Sequence, residues 1–115
     1  MITGTCHCGA VKVSIPERPA SVSDCNCSIC RRYGALWSFF IAKTVKIEAS
    51  ADVLRRYLWG AKELAFVRCK NCGCVVWWEQ AASNPEAKMG VNLRMFDPAV
   101  LDAAEVKKLD GASLW

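Results

Sequence analysis

Three cysteines fall within six residues of this sequence, at Cys25, Cys27 and Cys30. Thiolates this close in sequence cannot all pair with one another as disulfides, but they can converge on one soft or borderline metal ion. A structural zinc site is closed by four protein ligands, whereas a reactive site keeps one position open. The three cysteines therefore predict a zinc site whose fourth position is either filled by another part of the chain or left for a substrate.

Four more cysteines form two ligand-like pairs that are distant in sequence, Cys6 with Cys8 and Cys69 with Cys72. Each pair lies next to a glycine and to an extended segment, so a β-sheet could bring the two pairs together. Four converging thiolates make a closed structural zinc site. The alternative is four buried cysteines that act as small apolar residues, but paired spacing at both places favours zinc.

The fourth ligand of the three-cysteine stretch is left open by the sequence. Cys74 or His7 could complete an ordinary structural site, and a redox pair of Cys27 with Cys30 is a further alternative. Cys74 lies two residues beyond Cys72, and we expect it to be a core residue rather than a ligand. His7 is the only histidine, and a surface or packing role is expected for it. The favoured interpretation is an open site with three thiolates.

Composition bounds the class of protein. The chain has 115 residues, of which 53% are hydrophobic and 23% charged, which excludes a disordered chain and predicts one domain over residues 1–115. No apolar run approaches the roughly 18 residues needed to span a bilayer, and the N-terminus has no signal-peptide pattern. We therefore expect a cytoplasmic protein with no membrane partner, in which eight cysteines indicate metal rather than disulfides.

The positive charge is weak support for a nucleic-acid partner. The formal net charge is +4, but zinc ions with four and three thiolates would carry about −2 and −1 and bring the total to about +1. The basic residues are scattered, with no block of five or more.

Apolar periodicity predicts a mainly β fold, a small zinc-stabilised antiparallel domain of tent or sandwich type with short helical turns. Val11, Val13 and Ile15 alternate with polar residues, as in a half-buried strand. Residues 35–42 form a nearly continuous apolar run, which predicts a central strand buried on both faces. Further strands are expected at residues 45–47, 54–59 and 89–96 and on both sides of the Cys69–Cys72 knuckle.

The other segments are predicted to be loops and short helices. Residues 16–23 are expected to be a polar loop, and a short helix near Ser50 is the alternative to the strand at 54–59. Asp97 and Pro98 predict a helix start, with Asp97 as the N-cap. Asp110 and Gly111 indicate a turn before a final short segment.

Four motifs together resemble the glutathione-dependent formaldehyde-activating enzyme family, which also includes centromere protein V. They are G-x-C-x-C-G-x-V at residues 4–11, the C-x-C-S-x-C-R-R stretch with its following Gly-Ala at 25–35, C-x-x-C-G at 69–73 and V-N-L-x-x-x-D at 91–97. The resemblance implies a mostly β fold with two zinc ions per chain. It implies that Cys6, Cys8, Cys69 and Cys72 are structural ligands and that Cys25, Cys27 and Cys30 are the catalytic ones.

The resemblance also implies a carbon–sulfur lyase activity on S-hydroxymethylglutathione, formed from or split into glutathione and formaldehyde. An open zinc with three thiolates suits this task, because it can hold a substrate thiolate better than it can activate water. Arg31, Arg32 or Arg94 could meet the carboxylates of such a thiol. The alternative is a zinc-stabilised binding module without catalysis that contacts protein or nucleic acid, which a fourth protein ligand at the second zinc would favour.

Overall fold

The computed structural model describes residues 1–114 and contains two β-sheets that share one hydrophobic core. The smaller sheet is antiparallel throughout. Its strands, in spatial order, are β1 (Ile2–Thr5), β2 (Lys12–Ile15) and β5 (Lys46–Glu48). Val13 and Ile15 of β2 and the preceding Val11 are fully buried, so the predicted alternation of the first strand is confirmed.

The larger sheet has seven strands and is antiparallel except for one pair at its edge. The seven strands, in spatial order, are β10 (Glu105–Leu109), β3 (Ser21–Cys25), β4 (Trp37–Ile41), β9 (Lys88–Asn92), β8 (Val75–Gln80), β7 (Leu64–Cys69) and β6 (Leu54–Leu58). The short helices are α1 (Cys30–Tyr33), α2 (Pro98–Asp102) and α3 (Gly111–Leu114), and single 3₁₀ turns cover Ala42–Thr44, Ala51–Val53 and Leu93–Met95. The mainly β prediction is thus confirmed. None of the helices in residues 1–114 is long and apolar enough to cross a membrane.

The two faces of the larger sheet have different surroundings. On one face Val67, Trp77 and Val91 pack against Val13 and Ile15 of the smaller sheet. On the other face a second cluster of buried side chains contains Trp37, Phe66 and the cysteines Cys25, Cys27 and Cys30. Alternation along each strand separates the two sets, because neighbouring side chains point to opposite faces.

The edge pair β3–β10 corrects one prediction and adds a strand that the sequence did not predict. Residues 16–23 are not all loop, because β3 begins at Ser21, and the segment before Asp110 forms strand β10. The two strands are parallel, with Val106 opposite Val22 and Leu109 opposite Cys25. Strand β3 is polar at most positions and buries Val22 on the core side. Its pairing with two neighbours, rather than its apolar content, makes it a strand.

Two other predictions were wrong in part. The strand expected over residues 89–96 ends at Asn92, because the Asn92 side chain accepts the Arg94 N–H and starts a 3₁₀ turn. Strand β4 is central, but Phe39 and Ile41 remain 42% exposed, so it is not buried on both faces.

The predicted helix start is confirmed, since Asp97 Oδ1 accepts the Ala99 N–H at 2.9 Å. After Asp110 the chain forms α3, and Trp115 lies outside the described residues.

Candidate metal centres and an adjoining cavity

Cys6, Cys8, Cys69 and Cys72, the four-cysteine cluster, converge where the two sheets meet. Cys6 follows β1 of the smaller sheet, and Cys69 ends β7 of the larger sheet. The four sulfur atoms lie within 4.8 Å of one another. The Cys6–Cys8 and Cys8–Cys69 sulfur distances are 3.7 and 3.6 Å. Zinc–sulfur bonds of about 2.3 Å in a tetrahedron require about 3.8 Å between sulfurs, so the donor set fits one zinc-sized ion.

Backbone geometry around this cluster favours thiolates. Gly9 has a φ of +83°, in the region that glycine adopts without strain, and the chain therefore turns sharply behind Cys8. The N–H of Val11 donates to Cys6 Sγ at 3.3 Å. Burial raises the pKa of Cys72, but backbone hydrogen bonds from Cys74 and Cys8 outweigh it and leave this pKa at about 5. Backbone N–H donors thus favour the ionised form of Cys72, which is the form that binds a metal cation.

Cys25, Cys27 and Cys30, the three-cysteine cluster, lie on the other face of the larger sheet. Cys25 ends β3 and Cys30 begins α1, so a single turn of chain holds the three sulfurs within 4.8 Å of one another. All three cysteines are buried, with exposures of 2%, 1% and 6%. No fourth histidine, cysteine or acidic ligand atom in residues 1–114 joins them within that distance.

Donors surround the sulfurs of the three-cysteine cluster. The N–H of Cys27 points to Cys25 Sγ and the N–H of Cys30 to Cys27 Sγ, both at 3.5 Å. The indole N–H of Trp37 donates to Cys30 Sγ at 3.3 Å. Burial raises the pKa of Cys30, and the Trp37 hydrogen bond opposes this shift only in part. Burial also raises the pKa of Cys25. Three buried sulfurs, of which at least Cys25 and Cys30 have raised pKa values, ionise more readily beside a cation, which fits a metal site.

A cavity of about 540 Å³ opens onto the sulfur side of this cluster, with Cys25 and Cys30 in its wall. This volume lies in the range of small-molecule sites. Five aromatic side chains line it: Trp37, Phe39, Trp59, Phe66 and Trp78. We call it the aromatic cavity.

The sheet register builds this wall. Phe39 lies opposite Gly90, Gly90 opposite Trp78, and Trp78 opposite Phe66, across four adjacent strands. A Cβ atom at Gly90 would lie 2.0 Å from Trp78 Nε1. The indole of Trp78 can therefore lie over β9 only because residue 90 has no side chain. The rings of Phe39 and Trp78 are 6.0 Å apart.

The other predicted site residues lie outside the cavity. Arg32 donates to the Ser28 carbonyl at 2.7 Å and Arg94 to the Gly34 carbonyl at 3.1 Å, while Arg31 is exposed on α1. None of these three arginines is among the lining residues. His7 and Cys74 belong to neither cysteine group. Cys74 is half-buried, packs against the main core and lies near Cys72.

Several residues around the site had no signal in the sequence. The role of Trp37 follows only from the structure, in which its indole N–H donates to Cys30 Sγ. Asn26 accepts the Ala112 N–H at 2.9 Å and donates to Asp110 Oδ1 at 3.0 Å, so it ties the three-cysteine turn to α3. The position of Asn26 between two cysteines is the one sequence feature that could have pointed to it, and Trp37 has no comparable feature.

Fold and clusters together define a mainly β protein with two cysteine groups that could each hold a metal ion. A sequence model of the family described as glutathione-dependent formaldehyde-activating enzyme matches residues 1–108, and the chain belongs to that family. It is also similar to the crystal structure of a Rhodobacter sphaeroides protein from a structural genomics programme. That protein is 30% identical, the match covers 92% of this chain and 100% of that chain, and the TM-score is 0.73.

Proposed function

We propose that this chain is a zinc-dependent carbon–sulfur lyase that forms or cleaves a thiol adduct of glutathione type, S-hydroxymethylglutathione in the first instance. The carrying observation is the three-cysteine cluster, because two of its cysteines face the aromatic cavity and residues 1–114 supply no fourth ligand within 4.8 Å. Membership of the formaldehyde-activating family supports the reaction class. A binding module without chemistry would need neither the cavity nor an incomplete ligand set.

The two clusters are proposed to have different roles. Cys6, Cys8, Cys69 and Cys72 would hold a structural zinc, and Cys25, Cys27 and Cys30 a catalytic one. With three thiolate ligands, zinc supplies a position for a substrate thiolate that faces a small electrophile. The Trp37 N–H donates to Cys30 Sγ and would hold it in place, and the aromatic wall would limit the access of water to the reacting atoms.

The proposed reaction is the reversible addition of a thiol to an aldehyde. In synthesis, a carbon–sulfur bond forms as the carbonyl π bond opens, and the proton lost by the thiol ends on the carbonyl oxygen. In cleavage, the carbon–sulfur bond breaks and the hydroxyl proton returns to the sulfur. No redox partner is needed in either direction.

Arg31, Arg32 and Arg94 remain proposals for contacts with substrate carboxylates. Arg32 and Arg94 each donate to a carbonyl next to α1. They could therefore also act on binding through the position of the three-cysteine turn. We further propose that residues 1–115 form one domain that works in a reducing compartment such as the cytoplasm, since eight thiols are suited to metal there.

The test compares a free thiol with its capped form. Calorimetry on the zinc-loaded protein, with a phosphine reductant, should show glutathione binding at least about tenfold more tightly than S-methylglutathione, a difference of about 1.4 kcal/mol. Only the free thiol can supply a fourth thiolate. Cys27→Ser should abolish the preference, and Cys74→Ser should retain it as the matched control. Equal affinity for both ligands, or binding of neither at millimolar concentration, would refute the open site.

A further inference from the structure

The wall of the aromatic cavity is poor in charge. Apart from its cysteines, the wall contains one cationic side chain, Lys88, and one anionic side chain, Glu63, among the described residues. Both are exposed and lie at the rim. The Lys88 ammonium lies 5.3 Å from the centre of the Phe39 ring. The charges of Lys88 and Glu63 therefore cancel, and the wall apart from its cysteines has no net positive charge that would attract an anionic ligand.

Glutathione fits this wall only in part. It carries two carboxylates and one ammonium group at neutral pH, and a buried carboxylate needs a cationic or hydrogen-bonding partner. Lys88 could meet one carboxylate at the rim. If the charged ends of glutathione stay at the rim, the hydroxymethyl group of a formaldehyde adduct, with only two heavy atoms, would leave much of about 540 Å³ unfilled. The inner wall thus matches neither the charged ends of glutathione nor the smallest aldehyde.

The same wall suits an apolar ring. Trp37 and Phe66 have ring centres 6.0 Å apart at a tilt of 52°, and Phe39 and Trp78 have a similar arrangement. The ring of a ligand that lay between these two pairs would make tilted or offset contacts with their aromatic rings. It would also be stabilised by the burial of its own apolar surface. The aliphatic side chains of Leu64 and Leu109 complete the wall.

We propose that the preferred ligand carries a bulky apolar group, best an aromatic ring, on or next to the carbon bonded to its sulfur. This proposal rests on the proposed function, because it places the sulfur at the three-cysteine cluster and the ring among Trp37, Trp59 and Trp78. The ring can come from the aldehyde or from the thiol. In both cases the adduct presents the same chemistry to the wall, an apolar group adjoining the carbon–sulfur bond.

The test has one arm for each source of the ring. In the first, phenylmethanethiol and ethanethiol are titrated into the zinc-loaded protein and followed by calorimetry and tryptophan fluorescence. In the second, nuclear magnetic resonance measures the catalysed exchange of glutathione with benzaldehyde and with formaldehyde. We expect the aromatic compound to be preferred at least about tenfold in one arm, and the arm that shows the preference identifies the source.

Variants test whether the wall causes the preference. Trp59→Ala should remove most of the preference for the ring, because it takes one aromatic side chain out of the cavity wall. Tyr57→Ala is the matched control, because Tyr57 is 47% exposed on the same stretch of chain and does not line the cavity. Loss of the preference in both variants, or in neither, would overturn the assignment to the cavity wall.

The outcomes separate this proposal from the function on which it rests. If glutathione and ethanethiol bind but neither arm shows a preference for the aromatic compound, the apolar substrate class is wrong and the lyase proposal stands. If no thiol binds more tightly than its methyl-capped form, the open site fails and this proposal fails with it. If methyl-capped phenylmethanethiol binds as tightly as the free thiol, the ring binds at a place other than the wall beside the three-cysteine cluster. That result would overturn the proposal.

Discussion

At the scale of single residues, the hydrogen bond between Trp37 and Cys30 is the feature that most affects the chemistry of the three-cysteine cluster. The donor is an indole N–H, the acceptor a buried sulfur, and the distance 3.3 Å. Donors of this kind stabilise a thiolate and fix its direction, and their loss from metal sites commonly lowers metal affinity by about 10–100-fold. Trp37 also lines the aromatic cavity, so its ring and its N–H have separate roles.

Trp37→Phe separates the two roles, because phenylalanine keeps an aromatic ring and lacks the N–H. We expect the zinc affinity of the three-cysteine cluster to fall about tenfold while the four-cysteine cluster keeps its affinity. Titration with a chromophoric chelator that competes for zinc would measure both. Trp77→Phe is the matched control, since the Trp77 indole donates to Glu79 Oε1 at 2.6 Å on the opposite face of the sheet. Equal losses in the two variants would contradict a direct effect on Cys30.

At the scale of elements, strand β10 and helix α3 brace the turn that carries the three-cysteine cluster. Leu109 is the register partner of Cys25, and its carbonyl accepts the Asn26 N–H at 3.1 Å. The Asn26 side chain then bonds to Asp110 and to the N–H of Ala112. The ion pair of Lys108 with Asp24, at 2.6 Å, is exposed and contributes little. The side-chain amide of Asn26 therefore links the three-cysteine turn to α3 through two hydrogen bonds.

Asn26→Ala should release α3 and leave the sheet intact. The expected cost is about 1 kcal/mol, because two exposed hydrogen bonds are lost. Hydrogen exchange should become faster at the amides of residues 110–114 and remain unchanged in β7 and β8. Asn71→Ala, an exposed asparagine in the turn of the four-cysteine cluster, serves as the control. Unchanged exchange in residues 110–114 would show that β10 alone holds the segment.

At the scale of the whole molecule, the two cysteine clusters connect very different lengths of chain. The four-cysteine cluster joins the smaller sheet to the β7–β8 turn of the larger sheet, and Cys8 and Cys69 are separated by 61 positions in the sequence. The three-cysteine cluster is closed within one turn. Structural zinc contributes about 10–16 kcal/mol of binding free energy, which is comparable to the entire stability of a small protein. Loss of the first ion should therefore affect folding, and loss of the second only the site.

Cys6→Ser and Cys27→Ser test this division. We expect Cys6→Ser to unfold the protein or make it insoluble, because it opens the closed cluster between the sheets. Cys27→Ser should remain folded and bind about one zinc instead of two. Elemental analysis gives the zinc content, and circular dichroism during heating gives the stability. Loss of both metals and an equal fall in thermal stability in both variants would contradict the separate roles.

Local spacing was enough to predict part of this protein from its sequence. Cys25, Cys27 and Cys30 are held together by a single turn, so their convergence needs little information from the rest of the chain. The alternation in β2 and the capping pair Asp97 and Pro98 are also local signals. Local signals of the same kind predicted the type of fold and the two cysteine pairs, whereas the convergence of these pairs into one cluster depended on the expected sheet.

The tertiary structure alone decided the surroundings of these groups. Strand β10 is parallel to β3 and 80 or more residues distant from it, and its own pattern is too polar to predict a strand. Pairing of this kind depends on loop closure and backbone hydrogen bonds, which leave no local pattern. The reach of Trp37 to Cys30 and the ring of Trp78 over Gly90 depend on the register of adjacent strands. A one-residue shift would turn each side chain to the opposite face, so only the folded sheet determines which aromatic side chains form the cavity.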